Sequence, residues 1–292
     1  IMHFTSGTTG LPTGAAHVLN TVVSHYATGK YVLDFQEDDI YWCTADPGWV
    51  TGTSYGMFAP WSNGVTQVID EGGFGANRWY EIIQKFNVTV WYTAPTAIRL
   101  LMKAGAERAR RYDLSTLRYV MSVGEPLNPE GVVWGLEAFD LPIHDNWWQT
   151  ETGAIMITPL PGATPTKPGT ATLPFFGVDA AILDETGKEC KANEGGRIVI
   201  RKPWPSMLRT IWGDDKRYKN QYWSDIKGCY FTGVGARKDK DGYVWIMGRV
   251  DDVNNVSGHR LGTMEVESGL GSKDAVGEGA GQGLTQQIKG TG

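Results

Sequence analysis

The run Val88-Thr89-Val90-Trp91-Tyr92, followed by a helix-compatible stretch from Thr96 to Gly105 and then by Leu117-Arg118-Tyr119-Val120-Met121, decides the fold. Each run is short, apolar or β-branched, as a strand buried within a sheet requires. The same alternation extends outward in both directions. Upstream lie Ile40-Tyr41-Trp42-Cys43 and Val65-Thr66-Gln67-Val68-Ile69, with helical segments in part of 49–63 and from Asn77 to Phe86. Downstream, a helix from Pro129 to Phe139, with proline near its first turn as a start signal, leads to a strand from Ile143 to Trp147. Strands alternating with helices make a parallel sheet, and ligands of such sheets bind beyond the carboxyl ends of the strands.

At Pro159 the texture changes. A Pro/Gly-rich link, Pro159-Leu160-Pro161-Gly162-Ala163-Thr164-Pro165-Thr166-Lys167-Pro168-Gly169, gives way to strand-turn-strand patterns. Val178 to Leu183 turns at Asp184-Glu185-Thr186-Gly187 into Arg197 to Arg201; Cys229 to Thr232 and Ala236 to Lys238 lead through Asp239-Lys240-Asp241-Gly242 into Tyr243 to Met247. The expected fold class is therefore α/β: a layered parallel-sheet subdomain with flanking helices over 1–158, then a smaller antiparallel β subdomain over 159–247. From Gly269 to Gly292 the chain is glycine-rich without an aromatic residue, so it has little apolar surface to offset ordering entropy and is expected to be disordered.

The composition narrows the function. The chain has 292 residues, 41% of them hydrophobic, with 12 Trp, 12 Tyr and 9 Phe, enough for a buried core. A net charge of -5 supplies no basic excess to release counterions, which argues against a nucleic-acid partner. No run has the length of a membrane span and no signal peptide opens the chain, so the cytoplasm is expected and a membrane partner is not. Cys43, Cys190 and Cys229 are widely spaced and read as reduced core residues rather than bridges or metal ligands.

The chemistry is expected on loops. Thr5-Ser6-Gly7-Thr8-Thr9-Gly10-Leu11-Pro12-Thr13-Gly14 is hydroxyl- and glycine-rich: small side chains let backbone N–H groups point into one concavity, and the hydroxyls add donors that follow phosphate oxygens. No Lys-Ser/Thr pair closes it, so it is not the Walker pattern, and composition alone equally suits a polar loop with nothing bound. A helix over Val18 to Lys30, with Val18, Val22, Val23 and Tyr26 at helical spacing, is the expected support behind it. Three further loops follow the strands: Trp49-Val50-Thr51-Gly52, Val123-Gly124-Glu125-Pro126-Leu127 and Trp147-Trp148-Gln149-Thr150-Glu151-Thr152-Gly153. Singly, each has a plain alternative; Gly-Glu-Pro suits a turn, and Thr-Glu-Thr-Gly a capped helix start. His144-Asp145 is not read as an acid-base dyad, because neighbours on a strand point to opposite faces.

Taken together, these motifs resemble the AMP-forming acetyl-CoA synthetases of the adenylate-forming superfamily, from Phe4 to Ser268. The broad motifs are the phosphate loop, Thr150-Glu151-Thr152-Gly153 and Gly248-Arg249-Val250-Asp251-Asp252. The narrower ones are Trp42-Cys43-Thr44-Ala45-Asp46, Gly48-Trp49-Val50-Thr51-Gly52, Tyr92-Thr93-Ala94-Pro95-Thr96-Ala97, Ser122-Val123-Gly124-Glu125-Pro126, Trp147-Trp148-Gln149 and Ser257-Gly258-His259-Arg260-Leu261-Gly262. The resemblance implies that acetate attacks the α-phosphate of ATP to give acetyl-AMP and pyrophosphate, after which the thiol of coenzyme A displaces AMP. Acetate, ATP and CoA are the implied small-molecule partners; the oligomeric state is left open.

By the same resemblance, Thr5, Ser6, Gly7, Thr8, Thr9 and Gly10 hold the phosphates. Gly124, Glu125, Pro126, Asp145, Asn146, Trp147, Trp148 and Gln149 form the nucleotide wall. Thr150 contacts the α-phosphate, Glu151 holds Mg²⁺, and Arg249 and Arg260 sit near ribose and phosphates. Thr150, Glu151 and Arg260 are the expected catalytic set, and Gly258 lets backbone approach the CoA pantetheine. Val50, Thr51, Val123 and Trp148 line the acyl pocket. There the Trp148 indole leaves room for about a two- or three-carbon acid, although an ordinary core aromatic is the competing reading of that residue.

Two departures from the family pattern bear on affinity. Val234, within Phe231-Thr232-Gly233-Val234-Gly235, stands where the family has an aspartate gripping both ribose hydroxyls, and Thr13 stands where the phosphate loop usually has lysine. The family also continues at both ends, with residues 248–268 matching the hinge that leads into a mobile C-terminal domain carrying a catalytic lysine. The expectation is thus a truncated portion of an acetate:CoA ligase with little activity of its own. The alternatives are an inactive ATP/AMP-binding remnant, an inert fragment, or a propionate-type short-chain synthetase.

Overall fold

The structure is a computed structural model that describes residues 1–5 and 12–250 and, beyond them, the backbone of four short strands, Asn254–Val256, His259–Leu261, Thr285–Gln286 and Gly290–Thr291. Five parallel strands form the central sheet, in the order Thr66–Val68, Ile40–Cys43, Val90–Thr93, Tyr119–Ser122 and Ile143–Asp145. Side chains alternate across it. Tyr41, Val90, Tyr92, Tyr119 and Met121 enter one buried cluster with Val32, Leu33, Phe35 and Tyr55; Trp42, Trp91, Val120 and Ile143 enter a second with Tyr80, Ile83, Ile98, Leu101 and Phe139. Both faces are covered, which is why these strands read as nearly continuous apolar runs instead of alternating ones.

The second cluster is closed by helices Ala76–Phe86, Pro95–Ala104 and Pro129–Phe139. Each is amphipathic: Trp79, Tyr80, Ile82 and Ile83 are the buried side of the first, at the spacing of one helical face. Asn87 and Asp140 end two of these helices in the left-handed conformation, at φ 53° and 57°. At the far side of the sheet, Arg118 ties the chain together through ion pairs to Asp34 and Asp39, and Thr89 donates to Asp39 at 2.7 Å.

The antiparallel sheet has the order Ala180–Leu183, Gly195–Ile200, Tyr230–Lys238 and Val244–Arg249. Cys229 to Thr232 and Ala236 to Lys238, read separately from sequence, form one strand, because the glycine-rich stretch between them is carried through by a bulge at Gly235/Ala236. Of the 269–292 tail, only the strand pair Thr285–Gln286 and Gly290–Thr291 is described.

The N-terminal region corrects two expectations. Met2–Thr5 and Thr13–Ala16 pair antiparallel with Thr5 opposite Thr13, so a strand, and not the start of a helix, is the element at Thr13. A third strand, Thr210–Ile211, pairs with Ala15 and Ala16 and brings the later part of the chain back to the hairpin. The helix runs Thr21–Tyr31, and its buried face is Thr21, Ser24, His25, Thr28 and Gly29. Val23 and Tyr26, expected inside, are 59% and 47% exposed. Hydrogen bonding decides that face: Thr28 donates to the Ser24 carbonyl at 2.7 Å and shares a 2.9 Å bond with the Tyr55 hydroxyl, while His25 reaches the Gly153 carbonyl at 2.8 Å. The paired Thr28 hydroxyl and His25 Nε2 let polar side chains take this interior face, although Thr21 Oγ1 and His25 Nδ1 have no hydrogen-bond partner there.

Candidate functional site

Beyond the carboxyl ends of the parallel strands lies a cavity of about 1270 Å³, roofed by the antiparallel sheet. Every described residue assigned from sequence to nucleotide, acyl or metal contact lines it: Thr5, Val50, Thr51, Val123, Gly124, Glu125, Pro126, Asp145, Asn146, Trp147, Trp148, Gln149, Thr150, Glu151 and Arg249. Thr13 and Val234, the two departures, line it as well. Ser6, Gly7, Thr8, Thr9, Gly10 and Gly258 lie outside the described residues, as does the side chain of Arg260.

Each wall has a local cause. Gly124 follows the Tyr119–Ser122 strand at φ +106°, a conformation L side chains rarely adopt, so glycine permits the turn that presents Glu125 and Pro126. Glu125 is then held by the Thr96 hydroxyl at 2.6 Å and by Arg99 at 2.9 Å. Asp145, at the end of its strand, accepts the Leu127 N–H at 2.9 Å through one carboxylate oxygen, while the other has no hydrogen-bond partner. Burial pushes its pKa up to about 7. Its neighbour His144 takes the opposite face, with its ring 4.7 Å from that of Tyr119. The Asn146 amide is committed to the Ser122 carbonyl and the Tyr92 hydroxyl, both at 3.1 Å, so this residue shapes the wall from within.

Trp148 meets Tyr55 edge-to-face at 5.1 Å, and its indole N–H donates to the Tyr92 hydroxyl at 3.3 Å. Tyr55 is itself anchored by Thr28 and by the Ile155 N–H at 2.8 Å. These two contacts set the orientation of the indole in the cavity that Val50, Thr51 and Val123 also line.

The Gln149–Gly153 segment is a turn, and not the start of a helix. The Thr152 hydroxyl bonds both the N–H and the carbonyl of Gln149, at 2.9 and 3.0 Å, and Gly153 turns the chain at φ +76°. The Gln149 side chain crosses to the antiparallel sheet, donating to the Thr232 carbonyl at 2.8 Å. Glu151 accepts from the Tyr222 hydroxyl at 3.2 Å. Tyr222 belongs to helix Asp215–Trp223, which the sequence reading missed and which brings Arg217, Gln221 and Tyr222 to the cavity. A signal was present: Asp214 caps that helix by accepting the Arg217 N–H at 2.9 Å, the usual acidic N-cap pattern.

Among the described residues there is no group of three or more His, Cys, Asp or Glu side chains placed to hold a metal. Glu151 is a single hard-oxygen donor facing the cavity. That donor set fits a Mg²⁺ ion completed by phosphate oxygens and water, and does not fit an all-protein cage. No helix among the described residues is long and apolar enough to cross a membrane.

A parallel sheet with a second sheet over its carboxyl edge, and a cavity between them lined by Thr5 and Thr13, set the class to which the chain is compared. The AMP-binding enzyme family model matches residues 1–212, and the chain belongs to that family. It is 53% identical over 296 residues to an acetyl-coenzyme A synthetase of Chlorobaculum tepidum, with 98% of this chain and 45% of the relative covered. It is 49% identical over 290 residues to an acetyl-coenzyme A synthetase of Bacillus subtilis, with 99% of this chain and 50% of the relative covered. A crystal structure of a Brucella canis acyl-CoA synthetase superposes with a TM-score of 0.78 at 36% identity, covering 99% of this chain and 52% of that one. The chain thus spans about half the length of the curated relatives it matches.

Proposed function

We propose that this chain supplies the nucleotide- and acyl-binding part of an AMP-forming acetate:CoA ligase, working in the cytoplasm on acetate, ATP and CoA. The observation that supports this most is the gathering of all fifteen described site residues around one cavity, although they come from widely separated parts of the sequence. In this reading adenine lies along Gly124-Glu125-Pro126 and Asp145, and the phosphates run from Thr150 toward the hairpin between Thr5 and Thr13. The acetate methyl abuts Trp148. Acetate is ionised at neutral pH, so its attack on the α-phosphorus needs no base, only alignment and charge neutralisation. Glu151 would hold Mg²⁺, which supplies that neutralisation; Arg249 lies on the same wall and adds a fixed cation. Trp148 excludes longer acids by sterics.

Val234 favours a second reading of the chain, as a weak nucleotide binder without turnover. Its aliphatic side chain lies in the cavity wall and cannot accept a bond from a ribose hydroxyl. Calorimetric titration of the folded chain with AMP, acetyl-AMP and butyryl-AMP tests both readings. Acetyl-AMP is expected to bind more tightly than AMP, and butyryl-AMP more weakly than acetyl-AMP. Binding of none of the three overturns the ligase reading; binding without acyl discrimination leaves only the nucleotide site.

A further inference from the structure

Three buried histidines lie behind the cavity, and the reaction outlined above uses none of them. His25 is fully buried, and His3 and His17 are 8% and 7% exposed. His25 Nε2 lies 2.8 Å from the Gly153 carbonyl oxygen, and His17 Nδ1 lies 2.9 Å from the Ser206 carbonyl oxygen. A carbonyl has no proton to give, so the imidazole must donate in both bonds. This fixes two opposite tautomers, Nε2–H in His25 and Nδ1–H in His17.

These bonds converge on the turn that carries Thr150 and Glu151. The Ser206 hydroxyl donates to the Thr152 carbonyl at 2.6 Å, and the Leu208 N–H donates to the Glu151 carbonyl at 2.8 Å. A Cβ at Gly153 would stand 2.2 Å from the Ser206 carbonyl oxygen and 3.1 Å from the His17 ring, so the turn is seated directly on this layer. His17 follows immediately on the Thr13–Ala16 strand of the phosphate-loop hairpin. The histidine layer therefore links that hairpin to the turn through side chains that do not reach the cavity.

We propose that His25 and His17 are positioning residues that hold Thr150 and Glu151 in register with the phosphate-loop hairpin by donating to the Gly153 and Ser206 carbonyls. The proposal rests on the nucleotide reading of the cavity and deepens it: it concerns only the phosphate part of recognition. Loss of the His25 donor frees the Gly153 carbonyl in a dry interior and lets the turn shift. Contacts to a phosphate weaken as a result, whereas those to adenine and ribose, on other walls, stay as they were.

The test compares affinities for adenosine and for AMP by calorimetry in the folded chain and in His25→Leu, His25→Gln and His17→Asn, with thermal unfolding measured alongside. The Gln amide can place a donor near the Nε2 position and the Asn amide one near Nδ1. The AMP-over-adenosine preference is expected to fall about tenfold or more in His25→Leu, the size of one lost bond to a charged partner, with adenosine affinity kept. His25→Gln and His17→Asn are expected to retain most of it. An unchanged preference in His25→Leu, or an equal fall in His25→Gln, overturns the proposal. Should His25→Leu not fold, His25→Asn, too short to reach Gly153, takes its place with the same expectation. The ¹⁵N ring shifts of the wild type give an independent readout, since tautomers opposite to those above also overturn it. If adenosine does not bind the wild type, the nucleotide reading itself fails and takes this proposal with it; adenosine binding with an unmoved preference removes this proposal alone.

Discussion

Replacing Val234 by aspartate should convert a weak ribose contact into a strong one. Val234 is 7% exposed, sits opposite Arg249 in the antiparallel pair, and shares the cavity wall with Phe231, Ile246 and Gly248. Its N–H is already engaged by the Thr232 hydroxyl at 3.1 Å, so the backbone there is fixed and only the side chain changes. A carboxylate accepting from both ribose hydroxyls gains ~1.5–3 kcal/mol per bond. The lower end of that range, doubled, corresponds to roughly a hundredfold in affinity. Without ligand, the same carboxylate is largely desolvated beside Phe231 and Ile246, offset in part by Arg249 opposite it, and should cost ~1–3 kcal/mol of stability. Val234→Asp is therefore expected to melt several degrees lower than the parent when empty and to recover when AMP is added. Calorimetry with AMP and 2′-deoxy-AMP reads the mechanism directly: the deoxy compound offers one hydroxyl, so its gain should be only about tenfold. Unchanged AMP affinity in a folded variant, or equal gains for the two nucleotides, would refute the ribose assignment.

Three other outcomes follow from the same geometry. Burial holds the His3 and His25 pKa values down at about 4, so both rings are neutral in the folded chain while the unfolded chain protonates them near 6.5. Their stability contribution is full above pH 6.5 and is lost as pH falls toward 4, ~3 kcal/mol per ring as an upper scale. Asp145 acts in the opposite sense, because its raised pKa of about 7 penalises the folded state as pH climbs from 3.8 to 7. Urea unfolding should thus show Asp145→Asn, which keeps the acceptor for the Leu127 N–H, gaining on the parent with rising pH; a pH-independent difference between the two would contradict this. Trp148→Gly should lose ~3–5 kcal/mol of stability through the cavity left beside Tyr55 and should bind hexanoyl-AMP better than acetyl-AMP; retention of the parent's order would show that the indole is not the steric stop. Gly153→Ala places a methyl 2.2 Å from the Ser206 carbonyl at φ +76° and should destabilise by more than ~2 kcal/mol, whereas Gly124→Ala, with open space around it, pays only for its backbone strain.

The central sheet was legible in the sequence because its strands are buried on both faces and its helices are strongly amphipathic. The run Val88 to Tyr92 and the helix from Pro129 to Phe139 need no knowledge of the rest of the chain to be read. The helix behind the hairpin failed for the opposite reason. Its interior face is made of Thr21, Ser24, His25 and Thr28, whose partners Gly153 and Tyr55 are remote in sequence, so hydrophobic periodicity pointed to the wrong side. Helix Asp215–Trp223 escaped notice because it is mostly polar and only Tyr222 is buried; its contact with Glu151 appears once the chain is folded. The candidate site was legible as loops after strands, since parallel topology sends those loops to one edge. What no local pattern carried was the layer beneath: the Thr28–Tyr55 bond, the Tyr92 hydroxyl fixing Trp148, and the histidines under the turn.

A crystal of the chain soaked with AMP shows directly where the nucleotide sits. Difference density is expected inside the cavity, with adenine against Gly124-Glu125-Pro126, ribose beside Val234, and the phosphate within hydrogen-bonding distance of Thr150. Density for AMP on any other surface, or a cavity holding only solvent at saturating AMP, would contradict this placement.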